Sequence, residues 1–270
     1  MLITSTSHLI LNMKTTVFME NRFMKFFKNI MNGTVPIVIA EKEKVKEAKV
    51  LEKLDLGKII SVTLPDNQYI RQKTKKKQIV IHHTVSGQGV HGDLSWWRQT
   101  TDRVGTAIIV SWDGKIYQCF GSKYWAYHLG VHTNNTKLNK GSIGIEIDAW
   151  GGLVKKNKSW YPATYNKDTK KFIANTGYPP IKNVQEYSEG FRGFYGFEKY
   201  TDAQIESVRQ LLVFWGERYD IPLDYKADMW DYSNEAMAGE AGIWSHVSYR
   251  LSKSDCHPQP ELIAMLKALK

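Results

Sequence analysis

The 270-residue chain carries 37 Lys or Arg against 27 Asp or Glu, a net charge of +10, with 42% apolar residues and two cysteines. That length holds one large domain, or an ordinary domain with an appendage, and either can bury a core. Two cysteines exclude a disulfide framework and predict a reducing compartment of synthesis, and no stretch approaches the roughly 18 apolar residues of a membrane-spanning helix.

The charge is unevenly placed. Residues 1–77 hold fifteen Lys or Arg and seven Asp or Glu, a net +8, which leaves +2 for residues 78–270. The basic character therefore belongs to an amino-terminal extension, 1–76, and gives no ground for nucleic-acid binding by the remainder. Leu9-Ile10-Leu11 is soon broken by Asn12 and Lys14, so no secretory signal is read and synthesis in the cytoplasm is expected. Over Val17 to Met31, Phe23, Phe27 and Ile30 recur at helical spacing among Arg22, Lys25 and Lys28. This is a short basic amphipathic helix, able to lie on an anionic wall or membrane surface or to pack on the main domain. Glu41 to Asp55 alternates in charge, with Val45, Ala48, Leu51 and Leu54 on one side, and predicts a surface helix ending near Gly57. The run Arg71 to Lys77 reads as a solvated cationic tract.

Gln78 to Ser86, Gln-Ile-Val-Ile-His-His-Thr-Val-Ser, is a β-branched run that predicts a buried strand. Alternation puts Val80, His82 and Thr84 on one face and Ile79, Ile81 and His83 on the other. One imidazole can face a site while His83 packs behind it. Gly87 to Gly92 reads as a loop and Asp93 to Arg103 as a helix bearing Trp96 and Trp97. Ala107 to Val110 and Lys115 to Phe120 are strands joined at the Asp113-Gly114 turn. A loop with His128 and His132 precedes a further strand, Ser142 to Asp148, in which Ile143, Ile145 and Ile147 face the core and Gly144, Glu146 and Asp148 face away. Residues 150–199 are polar, aromatic and rich in turns, an insertion with room for one hairpin.

Thr201-Asp202-Ala203-Gln204 opens a helix as a capping box. That helix carries Val208, Leu211, Leu212, Trp215 and Tyr219 and ends before Pro222. The segment from Asp224 to Gly242 reads as irregular, Trp244-Ser245-His246 leads into a loop, and Pro260 to Leu269 closes the chain as a helix. Mixed in this way, the elements predict an α/β domain over 77–270 with a central mixed β-sheet flanked by helices.

Three polar features then call for one explanation: His82, Glu146, and the cluster His246, Lys253, Asp255, Cys256, His257. A zinc site that acts on a substrate takes three protein ligands and an open fourth position. His82, His246 and either Asp255 or Cys256 supply such a set. Glu146, on a strand able to lie beside the first, can accept a proton from water, and Lys253 can stabilise an oxyanion. Thr84, Trp96 and Trp97 are candidate substrate contacts, with core packing an equal account of the tryptophans and of Trp150. His91 and His132 read as loop residues, and Cys119 as core.

Ile79-Val80-Ile81-His82-His83-Thr84, Ala126-Tyr127-His128-Leu129-Gly130, Ser142-Ile143-Gly144-Ile145-Glu146 and the stretch from Ser245-His246 to Lys253-Ser254-Asp255-Cys256 follow one another in order. Together they resemble the zinc-dependent N-acetylmuramoyl-L-alanine amidases of the type-2 amidase and peptidoglycan-recognition-protein superfamily, phage endolysins among them, over about residues 77–270. The resemblance implies that family's fold and hydrolysis of the amide between N-acetylmuramic acid and L-alanine of peptidoglycan. It implies zinc on His82, His246 and a later Cys or Asp, Glu146 as general base, Lys253 on the scissile carbonyl and His128 in the substrate cleft. Thr106 stands where one branch carries a catalytic Tyr, which leaves the base role to Glu146.

The third ligand stays open between Asp255 and Cys256. Superfamily members that lack a ligand bind peptidoglycan without cutting it, and others recycle wall fragments in the cytosol. Here the full set of candidate ligands argues for an enzyme, and the basic extension, the absent secretion signal and the long insertion favour an endolysin that reaches the wall after release from the host cytoplasm. A monomer is expected, with no specific nucleic-acid partner.

Overall fold

The computed structural model describes residues 54–269 except 56, 58 and 101. The helix expected over 17–31, and that over 41–55 up to residue 53, lie outside the described residues. The compact unit that carries both sheets begins at residue 53.

The His-His strand, β2 (Gln78–His83), is buried at every position. The cause is its place in the sheet, whose other strands are β1 (Ile59–Ser61), β3 (Ile108–Val110), β4 (Ile116–Gln118), β5 (Ser142–Ile147) and β11 (Gly242–Ser245). Their order is β1-β4-β3-β5-β2-β11. β2 runs parallel to both neighbours, β5 and β11, and a parallel strand covered on both faces reads as a continuous apolar run. β3 and β4 pair antiparallel through the Asp113-Gly114 turn, where Gly114 has φ +81°. The sheet is mixed, as the alternation of strand and helix signals predicts.

Helix α1 (Val90–Gln99) buries Val90, Leu94 and Trp97. Helix α2 (Asn135–Gly141) leads directly into β5. Helix α3 (Asp202–Tyr219) begins with the capping box at Thr201 and Gln204 and buries Ile205, Val208, Leu211, Leu212 and Trp215. After a short helix, α4 (Asn234–Ala238), the chain ends in α5 (Pro260–Lys267), which packs on α3.

Four features depart from the expectations above. Residues 150–199 form a second, antiparallel sheet of β6 (Gly152–Lys156), β7 (Ser159–Asn166), β8 (Lys171–Ala174), β9 (Val184–Phe191) and β10 (Phe194–Glu198), ordered β8-β7-β6-β10-β9. Two of its hairpins turn on residue pairs with positive φ, Asn157-Lys158 and Arg192-Gly193. That is the geometry of a two-residue type I′ loop, and each pair keeps half of the usual Asn-Gly, Asn157 first in one and Gly193 second in the other. β1 lies before residue 77 yet pairs with β4. β11 and α2 fall in stretches read as irregular or loop.

The fourth departure is Lys76, which is 1% exposed within the supposedly solvated tract. Its Nζ donates to the carbonyls of Tyr124, Lys140 and Ser142 at 2.8, 3.0 and 3.0 Å, one acceptor for each ammonium hydrogen. Burial pulls this ammonium down to about 7, and the three carbonyls oppose that pull. Lys76→Met strands all three acceptors, and stability measured by urea unfolding should fall by about 3 kcal/mol, at one to three for each unmade buried bond with partial relaxation. Lys75→Met, at an exposed neighbouring position, should change stability by less than about 0.5 kcal/mol.

Candidate metal centre

Strand register assembles the site. Ser245 of β11 pairs with Ile81 of β2, so His246, the next residue, arrives beside His82. On the other flank His82 pairs with Glu146 of β5, and paired residues in a parallel ladder project from the same face. The loop after His246 brings back Asp255, whose carbonyl accepts from the Val247 N–H at 3.0 Å.

His82, His246 and Asp255 are 1%, 4% and 5% exposed. His82 Nδ1 lies 2.9 Å from His246 Nδ1 and 3.3 Å from Asp255 Oδ2, and His246 Nδ1 lies 2.7 Å from the same oxygen. The Nε2 of His246 donates to the Leu129 carbonyl at 2.9 Å. A carbonyl only accepts, so a neutral His246 turns its Nδ1 lone pair to the cluster. One proton can serve one of these three close contacts, whereas a cation serves all of them. Two imidazole nitrogens and a carboxylate oxygen are also a donor set that zinc takes in catalytic sites. The residues therefore fit a metal ion, and no other group of three such side chains converges in this way among the described residues.

The charge state agrees with this. Burial, with His246 second, pushes the His82 imidazole far below its usual range and keeps it neutral. Burial alone would raise the Asp255 carboxyl, but the His246 imidazole and the bonds to His246 and His82 hold it well below the usual carboxylate range. A neutral imidazole and an ionised carboxylate are the forms that ligate.

Glu146 is half-buried as a residue, yet its Oε2 is enclosed and has no hydrogen-bond partner among the described residues. Burial first, then Asp255 and Asp93, drive its carboxyl well above the usual range, and the Lys253 ammonium opposes that rise. A carboxyl perturbed in this way beside a metal-competent cluster is a candidate acid–base group. Lys253 is half-buried, and its charge also reaches His82.

The other expected residues divide. Cys256 is fully buried in the hydrophobic core cluster and takes no part in the three-atom convergence; burial and then Asp255 push its thiol well above the usual range. Trp97 is a core residue, 6% exposed, and its ring packs on Gly105, which corrects its reading as a substrate contact. Trp96 is 59% exposed on α1. Thr84 Oγ1 accepts from the Ala149 N–H at 3.2 Å and from Ser86 Oγ at 2.9 Å, tying the end of β2 to the chain beyond β5.

Thr106 donates its hydroxyl to the Ile108 carbonyl at 2.9 Å. Its methyl occupies space that a Cβ on Gly144 would need, 2.6 Å away, with His128 Nδ1 3.1 Å from the same point. Gly144 thus leaves room for His128.

His83 points to the opposite side, as alternation requires, with Nδ1 2.8 Å from the Tyr200 hydroxyl. There it joins His257, which accepts from the Tyr187 hydroxyl at 2.8 Å through Nδ1 and donates to the Glu198 carbonyl at 3.1 Å through Nε2. Cys119 is buried core, while His91 and His132 are exposed. Sequence reasoning missed Asn139 and Ser142, buried polar residues at 0% and 2% exposure. The Asn135-to-Gly141 segment offers too little apolar spacing to announce a helix.

A mixed sheet with a buried, metal-competent His-His-Asp cluster beside its parallel strands defines an α/β domain with a candidate metal centre. The sequence over residues 72–260 matches the model of the Amidase_2 family, described as N-acetylmuramoyl-L-alanine amidase, and the chain belongs to that family. Membership supports amidase activity on peptidoglycan. No curated protein matches the chain.

Among solved structures, that of PlyL is similar at 14% identity, covering 78% of this chain and 98% of that one, with a TM-score of 0.44. A mutant endolysin from Bacillus subtilis is similar at 17% identity, covering 77% and 97%, with a TM-score of 0.44. A selenomethionine derivative of AmpD is similar at 16% identity, covering 80% and 96%, with a TM-score of 0.42. Likeness at this level carries no functional argument.

Proposed function

We propose that the chain is a zinc-dependent N-acetylmuramoyl-L-alanine amidase that cleaves the bond between N-acetylmuramic acid and L-alanine of peptidoglycan, acting as an endolysin. The observation that carries the reading is the convergence of His82 Nδ1, His246 Nδ1 and Asp255 Oδ2 within 2.7 to 3.3 Å in a member of an amidase family. Zinc held there by these three atoms would supply Lewis acidity to the scissile carbonyl and lower the pKa of an attacking water. Glu146 takes the proton that this water loses and returns it to the alanine nitrogen as the amide breaks. Its enclosed Oε2, without a hydrogen-bond partner among the described residues, supports that role. Lys253 offers positive charge to the oxygen on which negative charge develops. Thr106 takes no part, because its hydroxyl is spent on the Ile108 carbonyl.

The net charge of +8 over residues 1–77 supports an anionic wall or membrane surface as partner of the extension. On this reading the protein is made in the host cytoplasm, as a monomer, and reaches the wall on release. Purified cell walls treated with the protein should release free L-alanine amino termini without new reducing sugar ends. Binding to walls without that release would instead make the chain a recognition module. Activity on soluble wall fragments, with none on intact walls, would make it a recycling enzyme.

A further inference from the structure

Each histidine of the cluster has a second ring nitrogen, and both are held through α2 and the residue after it. The hydrogen-bond directions follow from fixed ends. Ser142 Oγ has one hydrogen and gives it to the Leu138 carbonyl at 2.9 Å. Reversing that hydroxyl would set two lone pairs against each other at this distance. Ser142 Oγ therefore accepts from His128 Nε2, 2.9 Å away, which leaves His128 Nδ1 as an acceptor. His82 Nε2, at 3.0 Å, donates to it. The Nδ1 lone pair of His82 is then committed to the cluster with His246 and Asp255.

The second hold runs through Asn139. Its Oδ1 accepts from the backbone N–H groups of His128 and Leu129 at 2.8 and 3.2 Å, and its Nδ2 donates to Asn135 O and Oδ1, both at 2.7 Å. All four contacts agree on one orientation of the amide. They fix the segment whose Leu129 carbonyl accepts from His246 Nε2 at 2.9 Å.

We infer that Ser142, His128 and Asn139 form a relay that sets the tautomers of His82 and His246, so that both Nδ1 lone pairs face the metal position. These are positioning residues. The relay also answers the expectation that His128 lines the substrate cleft: both its ring nitrogens are spent inside the protein. Outer-shell partners of this kind orient metal-bound imidazoles and raise their basicity. The inference rests on the metal reading above.

The test uses the full chain. In the metal-free wild type labelled with nitrogen-15 at histidine, a long-range proton–nitrogen correlation should show His82 protonated at Nε2 and bare at Nδ1. Zinc affinity, read by competition with a chelator, should weaken about 10- to 100-fold in Ser142→Ala and in His128→Leu. His128→Gln can accept from His82 and donate to Ser142, so it should retain most of the affinity. Folding of each variant is checked by its melting transition.

A His82 protonated at Nδ1 in the wild type would overturn the relay, as would unchanged zinc affinity in both folded variants. The wild-type spectrum needs no variant and decides the question even where His128→Leu fails to fold. If the wild type binds no zinc at all, the metal reading falls, and the spectrum still decides the relay.

Discussion

Glu146→Gln is expected to cut release of L-alanine amino termini from cell walls by about 10²- to 10⁴-fold, the usual worth of a positioned general base, while zinc stays bound. The expectation follows from register. Glu146 and His82 are cross-strand partners in a parallel pair and share a face, so the carboxyl projects toward the histidine cluster without belonging to it. Its Oε2 has no protein partner among the described residues, so the substitution breaks no hydrogen bond of that oxygen, and folding of the variant is checked by its melting transition. Glutamine cannot take a proton, and that separates loss of chemistry from loss of structure. Wild-type turnover in a folded, zinc-bound Glu146→Gln protein would remove Glu146 from the reaction.

The second large effect concerns the end of the chain. Asp255→Ala should lower zinc affinity by more than the roughly 10- to 100-fold typical of losing a supporting residue, because it deletes one of three converging atoms. It also leaves His82 and His246 with their nitrogens 2.9 Å apart and no anion between them. Cys256→Ala should leave zinc affinity unchanged and cost about 1 kcal/mol of stability, as trimming a buried side chain does. A thiol ligates as the thiolate, and burial and the Asp255 carboxylate both hold Cys256 protonated. Chelator competition on the two variants reads the difference. Zinc lost from Cys256→Ala and kept by Asp255→Ala would reverse the assignment.

What the sequence made legible has a physical pattern. β2, β5, the β3–β4 hairpin and α3 carry period-two or period-3.6 apolar signals, a turn or a capping box, and each was readable from local chemistry alone. The separation of His82 from His83 needed nothing beyond alternation along a strand. Pairing Glu146 with His82 needed two such strands to lie side by side, which the order of motifs suggested and the register supplies.

The choice between Asp255 and Cys256 was not legible. The two are adjacent in a loop, where no periodicity says which side chain turns inward. β1 and β11 escaped because they are the edges of the main sheet and only three and four residues long. The second sheet escaped because its strands are half-exposed on both faces, which blurs alternation. Lys76 escaped because its burial depends on three carbonyls far along the chain. The same holds for Asn139 and Ser142, whose value lies in contacts with residues 128 and 129 and, through His128, with His82 of β2.

The central claim is that His82, His246 and Asp255 hold the metal on which amide cleavage depends. Titrating metal-free protein with zinc while following L-alanine amino termini released from purified cell walls tests it most directly. Activity is predicted to be absent without metal and to rise to saturation at one zinc per chain. Full activity in the metal-free protein would contradict the claim.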